Sequence, residues 1–156
     1  MIGKVSYLRQ AIEVSEGNVK HRARLGSLLR RLYQRNQAIW QAKAIDGKIT
    51  SVQTATLGIL FDEGALSLTE IGTAGAMDPA TTRGVVDRLQ SHGLVELGSD
   101  ARDKRRVIVS LNAEGRSYVE AMLPVMDQII EETLEALNPA ERFAFEFLVR
   151  KLVEGR

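Results

Sequence analysis

The stretch SDARDKRR, residues 99–106, places four cations and two anions in one short loop. Apolar and β-branched residues flank this loop, at 95–97 and at 107–111, and such runs are typical of strands. The simplest prediction is a two-stranded hairpin with a cationic tip. Such a tip adds little to a core, but it is suited to contact phosphates or to enter a groove of nucleic acid. The alternative is a solvated turn, and the residues before the hairpin bear on that choice.

Two short helices joined by a tight turn are predicted directly before the hairpin. Residues 67–70, Ser-Leu-Thr-Glu, fit a capping box that begins a helix ending near Ala74. Residues 75–77 form the turn, and Asp78 before Pro79 places an N-cap ahead of a proline at the first helical position. Gly93, after His92, is expected to cap the C-terminus of this second helix.

The order helix, turn, helix, hairpin is that of a winged helix-turn-helix. In that arrangement the second helix enters the major groove and the wing reaches the neighbouring minor groove. Apolar residues at helical spacing are expected to hold the two helices together, with Ile71 and Ala74 packing on Val85, Val86 and Leu89.

The first turn of the second helix is small, hydroxylic and cationic. Backbone N–H groups at a helix N-terminus attract phosphate, Thr81 and Thr82 are able to donate to phosphates or base edges, and Arg83 is able to bond guanine bidentately. Gly84 has no side chain and would allow a close approach. The alternative is that both threonines only complete the helix cap and that Arg83 is solvated.

The rest of the chain is predicted to be helical. A long amphipathic helix covers about 19–44, after a short leading helix near residues 5–12. Further helices are expected to begin after Thr50, after Asn112, where the helix should continue to about Leu137, and after Asn138. The fold class is therefore mainly α with a small β-hairpin wing.

Composition excludes several classes of protein. The 156 residues contain no cysteine, so disulfides, thiol switches and cysteine metal sites are excluded, and no cofactor or metal is expected. No apolar run is long enough for a membrane span and no signal peptide is evident, so we expect a cytoplasmic protein. The net charge is only +1. It hides an asymmetry, because residues 1–50 hold 10 Lys and Arg against 3 Asp and Glu.

Several segments carry a family resemblance. They are LGSLLRR (25–31), TSVQ (50–53), LTEI (68–71), MDPATT (77–82), VDRL (86–89), HGLV (92–95) and DARDKRR (100–106). With these segments the chain resembles the multiple-antibiotic-resistance regulator (MarR) family of bacterial transcription factors. The most specific of them is the second helix followed by the D-x-R-D-x-R wing.

The resemblance implies a homodimer that binds a pseudo-palindromic operator in double-stranded DNA. Residues 1–48 and 112–156 would form a helical dimerisation region, and residues 49–111 the winged helix-turn-helix lobe. It also implies wing contacts from the acid and the arginines. The predicted DNA-binding residues are Pro79, Ala80, Thr81, Thr82 and Arg83 in the helix and Asp100, Arg102, Lys104, Arg105 and Arg106 in the wing.

A small organic effector is also implied, because family members that sense peroxide use a cysteine and this chain has none. The resemblance places ligands between the dimer layer and the winged lobe. Polar and aromatic residues of the first half would suit a small aromatic carboxylate, and the candidates are His21, Arg24, Tyr33, Trp40, Gln53 and Thr54. The alternatives are a surface histidine, a solvated arginine and a core tryptophan.

Three functions compete at this point. The first is a ligand-responsive DNA-binding regulator, most simply a repressor. The second is a winged-helix module that docks on proteins without binding DNA. The third is an enzyme, which the sequence disfavours because its two histidines lie far apart and it has no glycine-rich phosphate loop.

Overall fold

The structure is a computed structural model that describes residues 19–100 and 103–155. The predicted leading helix near residues 5–12 lies outside this range. The helices and strands, in chain order, are α1 (Val19–Lys43), α2 (Ser51–Glu63), β1 (Leu66–Ser67), α3 (Leu68–Ala74), α4 (Pro79–Ser91), β2 (Val95–Ser99), β3 (Val107–Leu111), α5 (Ala113–Thr133) and α6 (Pro139–Glu154). The prediction of a mainly helical winged helix-turn-helix is confirmed.

The chain divides into two compact units, residues 1–38 and 39–156. In the first unit the described part is the beginning of α1, where Leu25, Leu28, Leu29 and Tyr33 are exposed. The second unit contains every other helix and strand described here.

Local capping explains where the helices begin. Thr50 Oγ1 accepts from Gln53 N at 3.3 Å while Gln53 Oε1 accepts from Thr50 N at 2.7 Å, which is a complete capping box. Asn138 and Glu141 form a second such box at α6, and Asn112 caps α5 by accepting from Gly115 N. These starts follow the sequence because a side-chain oxygen satisfies the unpaired N–H groups of the first turn.

The wing belongs to a three-stranded antiparallel sheet with the order β1-β3-β2. The two predicted strands pair from Val95 opposite Leu111 to Ser99 opposite Val107. The third strand, β1, was not predicted; it has only two residues and pairs Ser67 with Ile108. Periodicity cannot reveal so short a strand, and Ser67 also serves as the N-cap of α3.

The main core joins the helix-turn-helix to the sheet. Ile71 packs with Val85, Val86 and Leu89 in one buried cluster, as predicted. Ala74 was also expected there, and that prediction is wrong because this last residue of α3 is exposed. At Gly72 an added Cβ would lie 2.9 Å from Thr82 Oγ1, so the two helices pack closely at a position where one of them has no side chain.

A second core joins the end of α1 to α5. Ile39 and Trp40 pack with Met122 and Ile129, and Tyr118 borders both cores. The predicted end of α5 near Leu137 is wrong, since the helix ends at Thr133. Asn138 must be extended to cap α6, with a ψ of 167°, and the chain needs residues 134–137 for the turn. Among the described residues, no helix is long and apolar enough to cross a membrane.

Candidate nucleic-acid interface

The N-terminus of α4 is an exposed, well-capped helix start. Asp78 Oδ1 accepts from Thr81 N at 2.9 Å, and Asp78 Oδ2 accepts from Thr81 Oγ1 at 2.6 Å. The hydrogen bond from the Thr81 hydroxyl, followed by the bond from the Thr81 backbone N–H, holds the pKa of Asp78 below its ordinary value of 3.8. The Thr81 hydroxyl proton is therefore engaged within the cap, and only its oxygen lone pairs stay available to a partner.

Thr82 does not belong to the predicted DNA-binding surface. Its side chain is only 1% exposed, and its Oγ1 donates to Asp78 O at 2.9 Å. The same oxygen faces Gly72 across the contact between α3 and α4. The prediction that Thr82 contacts DNA is wrong, because its hydroxyl is buried in the helix-turn-helix packing.

The remaining predicted residues of α4 form a free surface. Pro79, Ala80 and Arg83 are exposed, and no side-chain partner of Arg83 is found among the described residues. Gly84 follows, and a Cβ added there would meet no atom within 4 Å. The helix therefore offers a free guanidinium beside a smooth stretch of backbone, which suits close contact with a groove.

Acidic residues build the tip of the wing. Asp100 Oδ1 accepts from Asp103 N at 3.3 Å, and Asp103 Oδ1 accepts from Arg105 N at 3.0 Å. Backbone bonds close the loop, because Arg106 N donates to Asp103 O and Asp100 N donates to Arg106 O. The carboxylates fold the turn, and a DNA contact by Asp100 stays a prediction. Ala101 and Arg102 lie outside the described residues, so the predicted role of Arg102 stays a prediction too.

Two cations project from this tip. Lys104 and Arg105 are exposed, and within residues 19–100 and 103–155 their side chains have no partner. Since counter-charges do not hold these groups against the protein, both can neutralise phosphates of a nucleic acid.

Arg106 is exposed, but its guanidinium is bonded to the N-terminus of α3. Its Nη2 donates to Ser67 Oγ at 3.0 Å and lies 2.8 Å from Glu70 Oε1. The pKa of Glu70 is lowered from 4.5 to about 2, mainly by the hydrogen bonds that Ser67 donates to its carboxylate and to a smaller extent by the Arg106 guanidinium. This guanidinium is engaged by α3, a partner that no local spacing in the sequence reveals, and a DNA contact by Arg106 stays a prediction.

The predicted effector residues lie in different environments. Arg24 and Tyr33 are exposed on α1, and the side chain of His21 lies outside the described part of the chain. Gln53 is buried and its Oε1 caps α2. Thr54 Oγ1 shares a hydrogen bond of 3.1 Å with the hydroxyl of Tyr118, which sequence reasoning missed because the two residues are 64 positions apart. The effector roles of all six stay predictions.

Trp40 has one feature that packing alone does not explain. Its side chain is only 9% exposed, yet Nε1 is the one buried side-chain N or O atom without a hydrogen-bond partner among the described residues. A buried N–H without a partner is costly.

Comparison with known proteins supplies relatives along most of the chain. A sequence model of the MarR family matches residues 49–107. The HTH-type transcriptional repressor NicR of Pseudomonas putida is 44% identical over 131 residues, covering 84% of this chain and 83% of NicR. The transcriptional regulator HosA of Escherichia coli is 34% identical over 125 residues, covering 80% of this chain and 91% of HosA.

Solved structures include one that is similar to this chain in both sequence and fold. It is that of Bordetella bronchiseptica BpsR, whose DNA binding is regulated by 6-hydroxynicotinic acid. The identity is 45% and the TM-score 0.78, and the match covers 83% of this chain and 98% of BpsR.

Proposed function

The chain belongs to the MarR family of transcriptional regulators, and we propose that it is a repressor that binds a pseudo-palindromic operator as a homodimer. In this proposal α4 enters the major groove and the wing reaches the adjacent minor groove. The observation that carries the proposal is that Arg83 on α4 and Lys104 and Arg105 at the wing tip are exposed cations for which no side-chain partner is found among the described residues.

The homodimer is supported by apolar side chains that a single chain leaves in water. On α6, Phe143 is 76% exposed, Leu152 is 84% exposed and Val153 is 79% exposed. Exposed patches of large apolar residues are typical of interaction surfaces. We propose that residues 1–48 and 112–156 form the dimerisation region, and that residues 49–111 form the DNA-binding lobe.

The effector proposed for this repressor is 6-hydroxynicotinic acid or a closely similar aromatic acid. This chain is 45% identical to BpsR, whose DNA binding that acid regulates. The unpartnered Nε1 of Trp40 supports the proposal, because the carboxylate or the 6-hydroxyl oxygen of the acid would satisfy this buried donor. Tyr118 packs against the same cluster, and its hydroxyl, bonded to Thr54, adds a second polar group.

Two other functions are weighed against this proposal. A protein-docking winged helix would not need unpartnered cations both on α4 and at the wing tip, so no observation favours it. We also propose that the chain has no catalytic activity, because its family and relatives are transcriptional regulators.

The proposal is tested with duplexes that the purified protein enriches from a random library. Fluorescence polarisation should show tight binding of two protomers per duplex, which weakens steeply with salt. Adding 6-hydroxynicotinic acid should release the duplex, whereas benzoic acid should release it less. A failure to enrich any duplex would contradict the DNA-binding proposal, and binding that is insensitive to the acid would contradict only the effector.

The single tryptophan offers a test of the effector site. Trp40→Phe keeps an aromatic ring in the core but removes the N–H, so more acid should be needed to release DNA. Quenching of the wild-type tryptophan fluorescence by the acid would report binding directly. An unchanged acid dependence of release in Trp40→Phe would exclude this donor from the site.

A further inference from the structure

We infer that Arg106 is a positioning residue, which fixes the wing on the N-terminus of α3 and so holds Lys104 and Arg105 in place for DNA. This inference rests on the proposed DNA-binding function and deepens it. It assigns Arg106, Ser67 and Glu70 to one unit, here called the wing latch.

The wing latch is made of bonds between two separate parts of the chain. Arg106 Nη2 bonds both Ser67 Oγ, at 3.0 Å, and Glu70 Oε1, at 2.8 Å. Glu70 Oε2 in turn accepts from Ser67 N at 2.8 Å and from Ser67 Oγ at 2.7 Å. One carboxylate thus caps its own helix with one oxygen and holds the wing with the other.

The anchor point of the latch is buried and hydrogen-bonded. Ser67 is only 3% exposed, and its backbone pairs with Ile108 of β3. Its hydroxyl is fixed by the capping box, so Arg106 bonds to a group that has little freedom to move. An exposed ion pair alone contributes little because both side chains are mobile, but here one partner is already ordered by its helix cap.

The tip that the latch would position is a loop held together by its own hydrogen bonds. Asp100 to Arg106 is closed by backbone and carboxylate bonds within the loop, and Arg105 and Lys104 directly precede Arg106. A closed loop of this kind can still tilt as a whole about the ends of β2 and β3. The bonds from Arg106 to α3 oppose such a tilt, and α3 packs on α4, so they relate the wing to the helix proposed for the major groove.

The sharpest test is Glu70→Gln, because the latch and simple electrostatics predict opposite signs. Glutamine keeps the capping box, as Gln53 does at Thr50 with a 2.7 Å bond, so α3 should still form. Removing a negative charge near DNA should by itself strengthen binding. Weakening the bond to Arg106 should instead weaken binding, by roughly three- to fivefold if the loosened tip loses part of its phosphate contacts.

The control is Glu63→Gln, which removes an exposed carboxylate at the end of α2. It should leave DNA affinity unchanged or slightly tighter. Thermal unfolding of each variant checks that the fold is kept. All affinities are measured with a duplex enriched by the wild-type protein, over a range of salt concentrations.

A double-mutant cycle separates positioning from direct contact. Arg106→Ala alone should weaken binding roughly three- to tenfold. In a Lys104→Ala/Arg105→Ala background, where both contacts to be positioned are already lost, the same change should cost much less. An equal loss in both backgrounds would mean that Arg106 touches DNA itself, and it would overturn the inference.

The outcomes also separate this inference from the proposed function. Wild-type binding with an unchanged or tighter affinity in Glu70→Gln would overturn the latch but leave the repressor proposal intact. A wild-type protein that enriches no duplex would overturn both.

Discussion

Removal of Arg105 should change the salt dependence of DNA binding by a calculable amount. Each phosphate neutralised contributes about 0.9 to the slope of log affinity against log salt, and a dimer presents two wings, so Arg105→Ala should lower the slope by about 1.8. Between 50 and 200 mM salt, the ratio of the wild-type affinity to the variant affinity should therefore fall by about twelvefold. The basis is that Arg105 is exposed and has no side-chain partner among the described residues.

The assay is fluorescence polarisation at four or more salt concentrations, with one duplex enriched by the wild-type protein and several base variants of it. Lys48→Ala is the matched control, because Lys48 is an exposed cation in the loop between α1 and α2. It should leave the slope unchanged. An unchanged slope in Arg105→Ala would refute the phosphate contact, and a loss confined to certain base variants would mean that Arg105 reads bases.

Four further results are expected from the same geometry. Arg83→Ala should relax specificity at one base pair per half-site, at a cost of about 1–3 kcal/mol if the contact is bidentate; an equal loss on every base variant would indicate phosphate contact only. Gly84→Ala should raise the free energy of unfolding by about 0.5–1 kcal/mol, since its Cβ meets no atom within 4 Å, yet it should weaken DNA binding; binding as tight as that of wild type would mean that no close approach occurs there. Gly115→Ala should lower the free energy of unfolding in urea by about 3 kcal/mol, because its Cβ would lie 2.0 Å from Leu94 O; an unchanged midpoint would contradict that packing. The pKa of Glu70 is lowered to about 2, so the stability that its charged form contributes should be present above about pH 4.5 and lost as the pH falls towards 2. In Glu70→Gln, the free energy of unfolding in urea should therefore depend less on pH over this range.

Local signals in the sequence were sufficient for most of the architecture. Helix starts at Thr50, Ser67, Asp78, Asn112 and Asn138 were predicted because a cap depends on residues within one turn of each other. The cationic hairpin was predicted for the same reason, since its strands and loop are contiguous. Local signals did not predict the end of α5 correctly, because the chain must become extended at Asn138 to cap the next helix although the preceding residues have a favourable helical pattern.

The site was predicted less completely, because local sequence patterns do not show which side chains are buried or which distant residues pair. Thr82 and Arg83 are neighbours that can both donate hydrogen bonds, and the packing of α3 on α4 decides that the first is buried and the second exposed. In the sequence, nothing distinguishes Arg106 from the other cations of the wing, because its partner Ser67 lies 39 positions earlier. The third strand brings these two parts of the chain together, and two residues are too few to show a period.

The central claim is that α4 and the wing of two copies contact one duplex, and hydrogen exchange of the protein tests it most directly. Amide exchange should slow on adding an enriched duplex at the start of α4, in residues 80–84, and in the tip, residues 103–106. Exchange within α6 should not change on DNA binding if that helix is already covered in the dimer. Unchanged exchange across residues 80–106 in a saturated complex would contradict the account.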